Sequence, residues 1–210
     1  YKIELDYLIS CINNFKKIKN VLDVGCGGGF FLDLFKKYKK KTYGVEISKD
    51  SYLHAKKKHN MYYGEFNQKI KFRKKFDLII MRGVIEHVFN PKYYIKLGQK
   101  ILKKGGYFFI TATPKLDSIA ADIFKERWIV HSPESHVMHF KESHIDSLFI
   151  KNKFSKKGSN SLYMNTPYEN FKSDIKIIAN EIEIQKSKRT SNVMSPAFFG
   201  SMMTVVYQKN

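Results

Sequence analysis

Arginine is scarce in this 210-residue chain. Only Arg73, Arg82, Arg127 and Arg189 stand among the 38 basic residues, and the other 34 are lysines. Nucleic-acid readers commonly rely on the arginine fork, so a formal charge of +19 is not by itself the mark of a nucleic-acid surface. Lys, Asn, Ile, Phe and Tyr all have AT-rich codons and together make up almost half of the chain, so base composition accounts for much of the basicity. The lysines are also dispersed. Several, such as Lys36–Lys41 and Lys56–Lys58, fall where helices are expected to end, and there cations suit the helix dipole.

Cysteine is nearly absent. Cys11 and Cys26 alone exclude a disulfide scaffold and a four-cysteine metal site. No apolar run approaches the 18 residues of a membrane span, and no segment has the form of a signal peptide. The expectation is a soluble, cytoplasmic protein with no membrane partner. What is present is ordinary globular composition, 43% hydrophobic and 27% charged. The length allows one large domain that buries roughly 70% of its unfolded surface.

Apolar runs and helical patterns alternate. A helix is expected over 3–18. Val21–Val24 reads as a first strand and 30–38 as a helix. Further strands are expected at 42–47, 60–63, 76–81 and 107–112. Ser48 is placed to cap a helix over 49–58, and a helix over 91–103 should stop at Gly105–Gly106. The stretch 113–140 is less regular and rich in histidine and aromatics. Helices over 141–152 and 168–188, and strands near 153–159 and 202–207, complete the pattern. The expected fold is α/β: a Rossmann-like, doubly wound, mostly parallel seven-stranded sheet with helices on both faces and a cap-like insertion after strand five. It forms one domain over 1–210, with 20–112 binding a cofactor and with 113–140 and 160–195 as cap segments over a substrate.

The segment Asp23-Val-Gly25-Cys-Gly27-Gly-Gly29 joins a strand to a helix. Glycines there permit positive φ and close backbone approach, and the helix start presents free N–H groups. A phosphate-binding loop needs Gly-x-x-x-x-Gly-Lys-Ser/Thr, which is absent. The dinucleotide spacing Gly-x-Gly-x-x-Gly fails in both registers, because Phe30 or Leu32 stands where the third glycine is required. An acid at the end of the first strand opposes a pyrophosphate and suits a ligand that carries an ammonium group.

Val21-Leu-Asp-Val-Gly-Cys-Gly-Gly-Gly29 resembles the first motif of class I S-adenosylmethionine-dependent methyltransferases. Tyr43-Gly-Val-Glu-Ile-Ser48 is similar to their second-strand motif, Tyr63-Gly-Glu-Phe66 to the segment beside the adenine, and 76–88 to the fourth strand and its loop. Leu102–Ile110 is similar to their turn into strand five. Ser135–Phe140 and the following helix resemble small-molecule enzymes of the ubiquinone-biosynthesis type. The resemblance implies S-adenosyl-L-methionine as cofactor. Asp23, Gly25, Cys26, Gly27 and Gly29 would surround its amino-acid end. Glu46 would take the ribose hydroxyls with Ile47 beside it, and Glu65 and Phe66 would lie at the adenine. Arg82 and Gly83 would sit at the end of strand four.

The resemblance also implies methyl transfer, in which the sulfonium donor carries its own leaving group. The protein's main task is then alignment, which supplies roughly 7–11 kcal/mol against about 3–5 kcal/mol from a general base. His87, after strand four, is the candidate base, with Glu86 to orient it. His136 is a candidate substrate contact in the cap, or simply a packed histidine. Arg82 could hold an anionic group or pair on the surface. His131, His136, His139 and His144 lack the regular helical spacing of a metal pair, Pro133 interrupts them, and no metal is expected. Trp128 is a core residue or a wall of the acceptor pocket. No Asn-Pro-Pro-Tyr-type motif follows strand four and neither cysteine follows a proline, so a small, perhaps anionic, acceptor is favoured over nucleic acid. A phosphorylated or nucleotide-linked carbohydrate precursor is one such acceptor. An RNA methyltransferase and a non-catalytic cofactor-binding subunit stay as alternatives, and nothing bears on oligomeric state.

Overall fold

The structure is a computed structural model describing residues 1–210. A first helix, α1 (Lys2–Cys11), precedes a regular alternation of strand and helix. It runs β1 (Asn20–Val24), α2 (Phe30–Lys37), β2 (Lys41–Glu46), α3 (Lys49–Lys56), β3 (Asn60–Tyr63), β4 (Phe76–Arg82), α4 (Pro91–Ile101) and β5 (Leu102–Pro114). The rest comprises α5 (Ile119–Phe124), α6 (Glu142–Lys151), β6 (Phe154–Asn160), α7 (Phe171–Lys186) and β7 (Met202–Lys209). Local chemistry sets several boundaries. Ser48 caps α3 by accepting the Ser51 amide, and Asn90 caps α4 by accepting that of Tyr93, with Pro91 in the first turn.

The seven strands form one sheet in the order β3-β2-β1-β4-β5-β7-β6. The first five are parallel, and β7 runs antiparallel to both β5 and β6. Side chains alternate across the central strands, so each face of the sheet carries its own core. Leu22, Val24, Ile79, Met81, Phe108 and Ile110 pack under α4 and α6. Val21, Leu78, Ile80 and Phe109 pack under α1 and α2 through Leu5, Leu8, Phe31, Leu32 and Phe35. Strands covered on both faces explain the uninterrupted apolar run at Leu78–Met81. The winding direction switches between β1 and β4, and an open α/β sheet binds ligands at the carboxyl ends of the strands at that point.

Three expectations are corrected and a fourth segment is filled in. The first helix ends at Cys11, and only a 3₁₀ turn at Phe15–Lys17 follows, because the turn-forming pair Asn13–Asn14 interrupts it. The helix expected over 91–103 stops at Ile101. β5 then begins at Leu102 rather than 107, running through Gly105 with φ 73° and shifting register against β4 between Phe76 and Leu78. The helix expected over 168–188 is confined to Phe171–Lys186. The stretch 113–140 is not wholly irregular, since it holds α5.

The segments on either side of α6 and β6 come together. Ala120, Ala121, Phe124 and Trp128 pack with Ile178 of α7 in a third, small core, and Arg127 donates to the Glu181 carboxylate.

Candidate active site

The loop after β1 is glycine-rich for a geometric reason. Gly25, Gly27 and Gly29 have φ of 69°, 53° and 82°, a region L-residues enter at a cost of roughly 1–2 kcal/mol. A Cβ on Gly25 would stand 2.7 Å from Val84 Cγ2. The loop therefore lies close against the turn that follows β4.

Glu46 at the tip of β2 ties the loop to the next strand. Its Oε2 accepts the Gly27 amide and its Oε1 the Ser48 amide, each at 2.7 Å. The carboxylate is buried and its direction is fixed by two backbone donors. Each oxygen keeps a lone pair free for further donors such as sugar hydroxyls.

Asp23 is 2% exposed, and its Oδ1 has no hydrogen-bond partner. Burial, joined by the negative charges of Glu4 and Glu46 and partly offset by Arg82, pushes its carboxyl up to about 8. A buried acid with an orphaned oxygen beside a glycine loop fits a ligand that brings an ammonium group. The residues present therefore match the amino-acid end of S-adenosylmethionine.

A cavity of about 250 Å³ opens in front of the loop. Val24, Gly25, Ile47, Glu65, Phe66 and Gly83 line it, together with His87 and Tyr94. Ile47 is 67% exposed, an apolar surface left for a flat ring to cover. Phe66 is buried against Tyr94 and Phe72 and forms the floor. Glu65 is exposed at the rim, where its Oε1 accepts the Tyr94 hydroxyl at 3.0 Å. Tyr94 carried no sequence signal beyond the apolar face of α4. Gly25, Ile47, Glu65, Phe66 and Gly83, all expected around the cofactor, are thus brought to one cavity, while Gly27 and Glu46 meet behind it.

Two candidate residues lie elsewhere than expected. The side chain of Cys26 turns away from the cavity into the core beside Gly44 and Met61, and burial raises its thiol pKa. Arg82 does not face the donor cavity. Its Nε donates to both oxygens of Glu4, at 3.0 and 3.1 Å, and its guanidinium lies 4.5 Å from the ring centre of Tyr1. Trp128 is core in the third cluster and lines neither cavity described here.

A second cavity, about 300 Å³, lies beyond Gly83. Tyr1, Ile3 and Leu162 line it with Tyr168, Phe198 and Met202, and its polar groups include the Arg82–Glu4 pair. Gly83 borders both cavities. A Cβ on Gly83 would stand 3.7 Å from Glu86 Oε1, so the buried Glu86 carboxylate lies close behind Gly83 while lining neither cavity.

The 3₁₀ turn Ile85–His87 places Glu86 inward and His87 outward. Glu86 does not orient His87, as the sequence suggested. Its carboxylate accepts the Thr113 hydroxyl at 3.0 Å, and burial raises its pKa. His87 Nδ1 meets the Ser135 carbonyl at 2.8 Å, and the His87 and His136 rings stand 4.9 Å apart. His136 Nδ1 meets the Val130 carbonyl at 2.8 Å, and burial lowers its pKa. His139 hydrogen-bonds the His131 carbonyl and packs on the His131 ring, while His144 accepts the Lys141 amide. His131, His136 and His139 thus stay packed together, and of these His136 also meets the His87 ring.

Residues 5–155, well over half of the chain, match a family described as "Methyltransferase domain". A ubiquinone biosynthesis O-methyltransferase of Pelagibacter ubique (strain HTCC1062) is 34% identical over 108 residues, which is 48% of this chain and 45% of that protein. A mitochondrial one of Dictyostelium discoideum is 30% identical over 115 residues, 46% of this chain and 36% of that protein. The chain therefore spans less than half the length of these curated relatives. A SAM-dependent methyltransferase from Archaeoglobus fulgidus superposes with a TM-score of 0.66 at 18% identity, over 99% of this chain and 92% of that one. That likeness shows the fold.

Proposed function

Since the chain belongs to the methyltransferase-domain family, class I and S-adenosylmethionine-dependent, we propose that it methylates a hydroxyl oxygen of a small, largely apolar acceptor. The observation that carries this reading is Gly83, which borders both the cavity in front of the glycine loop and a second, half-open cavity. The donor's adenosine would lie along Ile47, Glu65 and Phe66, its ribose at Glu46 and its ammonium group at Asp23. The methyl group would then point past Gly83 toward the second cavity. Oxygen as the acceptor atom is taken from the relatives, which are O-methyltransferases.

The chemistry asked of the chain is modest. The bound donor supplies an activated methyl group, and the residues must hold it, hold the acceptor in line and keep water out. Segments 113–140 and 160–195 act as the cap, clamped to each other by Arg127 and Glu181. His87 keeps its Nε2 free for a proton, because its Nδ1–H is given to Ser135.

The lining of the second cavity narrows the acceptor. Its walls are aromatic and aliphatic, and its one arginine is already paired with Glu4. A flat apolar hydroxyl compound suits it better than the phosphorylated carbohydrate precursor that the net charge suggested. The test is turnover with labelled S-adenosylmethionine against a panel of phenols, sugar phosphates and tRNA. Methylated phenols support the reading. Methylated tRNA, with steep salt dependence, favours the alternative drawn from the basic surface. Donor binding with no turnover on any of them favours the non-catalytic subunit.

A further inference from the structure

We infer that the edge formed by the amino ends of the parallel strands is a docking surface for single-stranded RNA, held through its phosphodiester backbone and apart from methyl transfer. About half of the 38 basic residues meet on that edge. The two cavities of the methyl-transfer reading lie at the opposite, carboxyl ends of the strands. β1 and β4, five and seven residues long, separate the two edges, a depth of roughly 17–23 Å.

The lysines are dispersed in sequence, and the winding of the chain gathers them. In a parallel sheet every crossover returns to the same edge before the next strand begins. Lys16, Lys17 and Lys19 precede β1, Lys39 and Lys40 lead into β2 at Lys41, and Lys56–Lys58 lead into β3. Arg73, Lys74 and Lys75 precede β4, and Lys103 and Lys104 open β5. The antiparallel strands add to the same edge. β7 ends where β5 begins, and it pairs Lys209 with Phe154 at the start of β6, just after Lys151 and Lys153. Contacts between these segments show the gathering directly. The Lys41 amide donates to the Lys19 carbonyl at 2.8 Å, Lys36 Nζ to the Lys58 carbonyl at 3.2 Å, and Lys209 Nζ to the Leu102 carbonyl at 2.9 Å.

Carboxylates are missing from this edge. Of the 19 acidic residues, only Asp77 lies on the segments that meet there. Its oxygens are spent on the Lys19 and Asn20 amides and on Lys103. Asp33 reaches over from α2 to Lys58. Base composition sets how many lysines a chain holds, not where they stand. Helix dipoles account for Lys36, Lys37 and Lys56 in last turns, but not for the cations that lead into strands. Like charges gathered in this way repel one another, and a polyanion relieves the repulsion.

A cleft of about 320 Å³ lies in the middle of the edge. Lys17, Lys103 and Lys104 line it, together with the side-chain amides of Asn13, Asn14 and Gln208. Ammonium groups suit phosphate oxygens. Amides both donate and accept, which matches the 2′-hydroxyl that tells RNA from DNA. Beside the cleft, among Lys36–Lys41, Tyr38 is 47% exposed and meets the Phe15 ring edge-on at 5.4 Å. An exposed aromatic among lysines offers a platform on which an unpaired base stacks. Arg73 is the one arginine here, so the forks that read base edges are lacking and binding is indifferent to sequence. A membrane surface fits less well. Insertion needs an apolar face, and Tyr38 and Ile150 are the exposed large apolar side chains of this edge.

The test is fluorescence anisotropy of a labelled polyuridylate of about 20 nucleotides, a length beyond the ~4–16 that one small nucleic-acid-binding fold engages. Affinity should fall roughly a hundredfold between 50 and 200 mM salt, the slope of about five neutralised phosphates on a single strand. Lys17→Glu combined with Lys104→Glu should weaken binding at least about tenfold and flatten the salt slope. Lys92→Glu combined with Lys96→Glu, exposed positions of α4, removes the same net charge from another face and should leave affinity within about threefold. Tyr38→Ala should weaken binding by about fivefold or more at an unchanged salt slope, the mark of a lost stacked base. Polythymidylate DNA of the same length, and phosphatidylglycerol vesicles, should each bind more weakly. Circular dichroism checks the fold of every variant, with Lys17→Gln and Lys104→Gln in reserve. Equal effects of the two double variants, an unaffected Tyr38→Ala, DNA bound as tightly as RNA, or vesicles bound in place of RNA overturns the inference. S-adenosylhomocysteine affinity should be unchanged in Lys17→Glu with Lys104→Glu, so the RNA surface and the donor reading fail separately.

Discussion

The carboxylate of Glu46 accepts the backbone amide of Gly27 at 2.7 Å, joining the tip of β2 to the glycine loop 19 residues earlier in the chain. The same side chain accepts the Ser48 amide, so one buried acid fixes the loop and the start of α3 together. It does so at the carboxyl ends of β1 and β2, where the donor's sugar is proposed to lie.

Glu46→Ala should therefore act twice. It removes the ribose partner and frees the loop, and S-adenosylhomocysteine affinity should fall at least about tenfold, the loss expected from one charged hydrogen-bond partner. Calorimetry measures it, and unchanged affinity would remove Glu46 from the site.

Asp23 gives a pH dependence. In the unliganded fold its proton is held up to about 8, while the unfolded chain releases it near 3.9. Its contribution to the stability of the free protein therefore declines as pH rises through that window. A ligand ammonium group favours the ionised form, so donor binding should expel about one proton at pH 6–7. Affinity should rise by about tenfold per pH unit up to about 8. Calorimetry in buffers of different ionisation heat counts that proton, and Asp23→Asn should abolish it.

Gly25→Ala introduces a Cβ at φ 69° and 2.7 Å from Val84 Cγ2. The backbone strain is about 1–2 kcal/mol, tolerable for the fold, but Val84 must move into the cavity it lines. The variant should remain folded by circular dichroism and lose donor binding.

Arg127 and Glu181 clamp together the two segments proposed as the cap. The Arg127 guanidinium holds the Glu181 carboxyl down to about 2. Its contribution to stability is complete above the unfolded glutamate value near 4.3 and is lost as pH falls from there toward 2. Arg127→Ala leaves a nearly buried acid unpaired and should cost about 3 kcal/mol in denaturant melts.

The central strands β1, β4 and the Tyr107–Ile110 part of β5 were legible because they are buried on both faces and read as plain apolar runs, and the loop after β1 because its glycine spacing is distinctive. The antiparallel position of β7 was not legible. Its sequence says strand, but pairing partners are chosen by tertiary contacts between β5 and β6. Cofactor residues near the loop were readable from order and spacing. Arg82 was left open between an anionic ligand and an ion pair because its partner, Glu4, is 78 positions away on a helix of unremarkable pattern. The convergence of His136 on Glu86 and His87 depends on backbone hydrogen bonds from an irregular segment, and such bonds leave no periodic trace.

The most direct measurement is calorimetric titration of the wild-type chain with S-adenosylhomocysteine beside Asp23→Asn and Glu46→Ala. The account predicts saturable binding of one nucleotide per chain, weakened in both variants. Absence of heat in the wild-type chain, or identical heats in all three proteins, would contradict it.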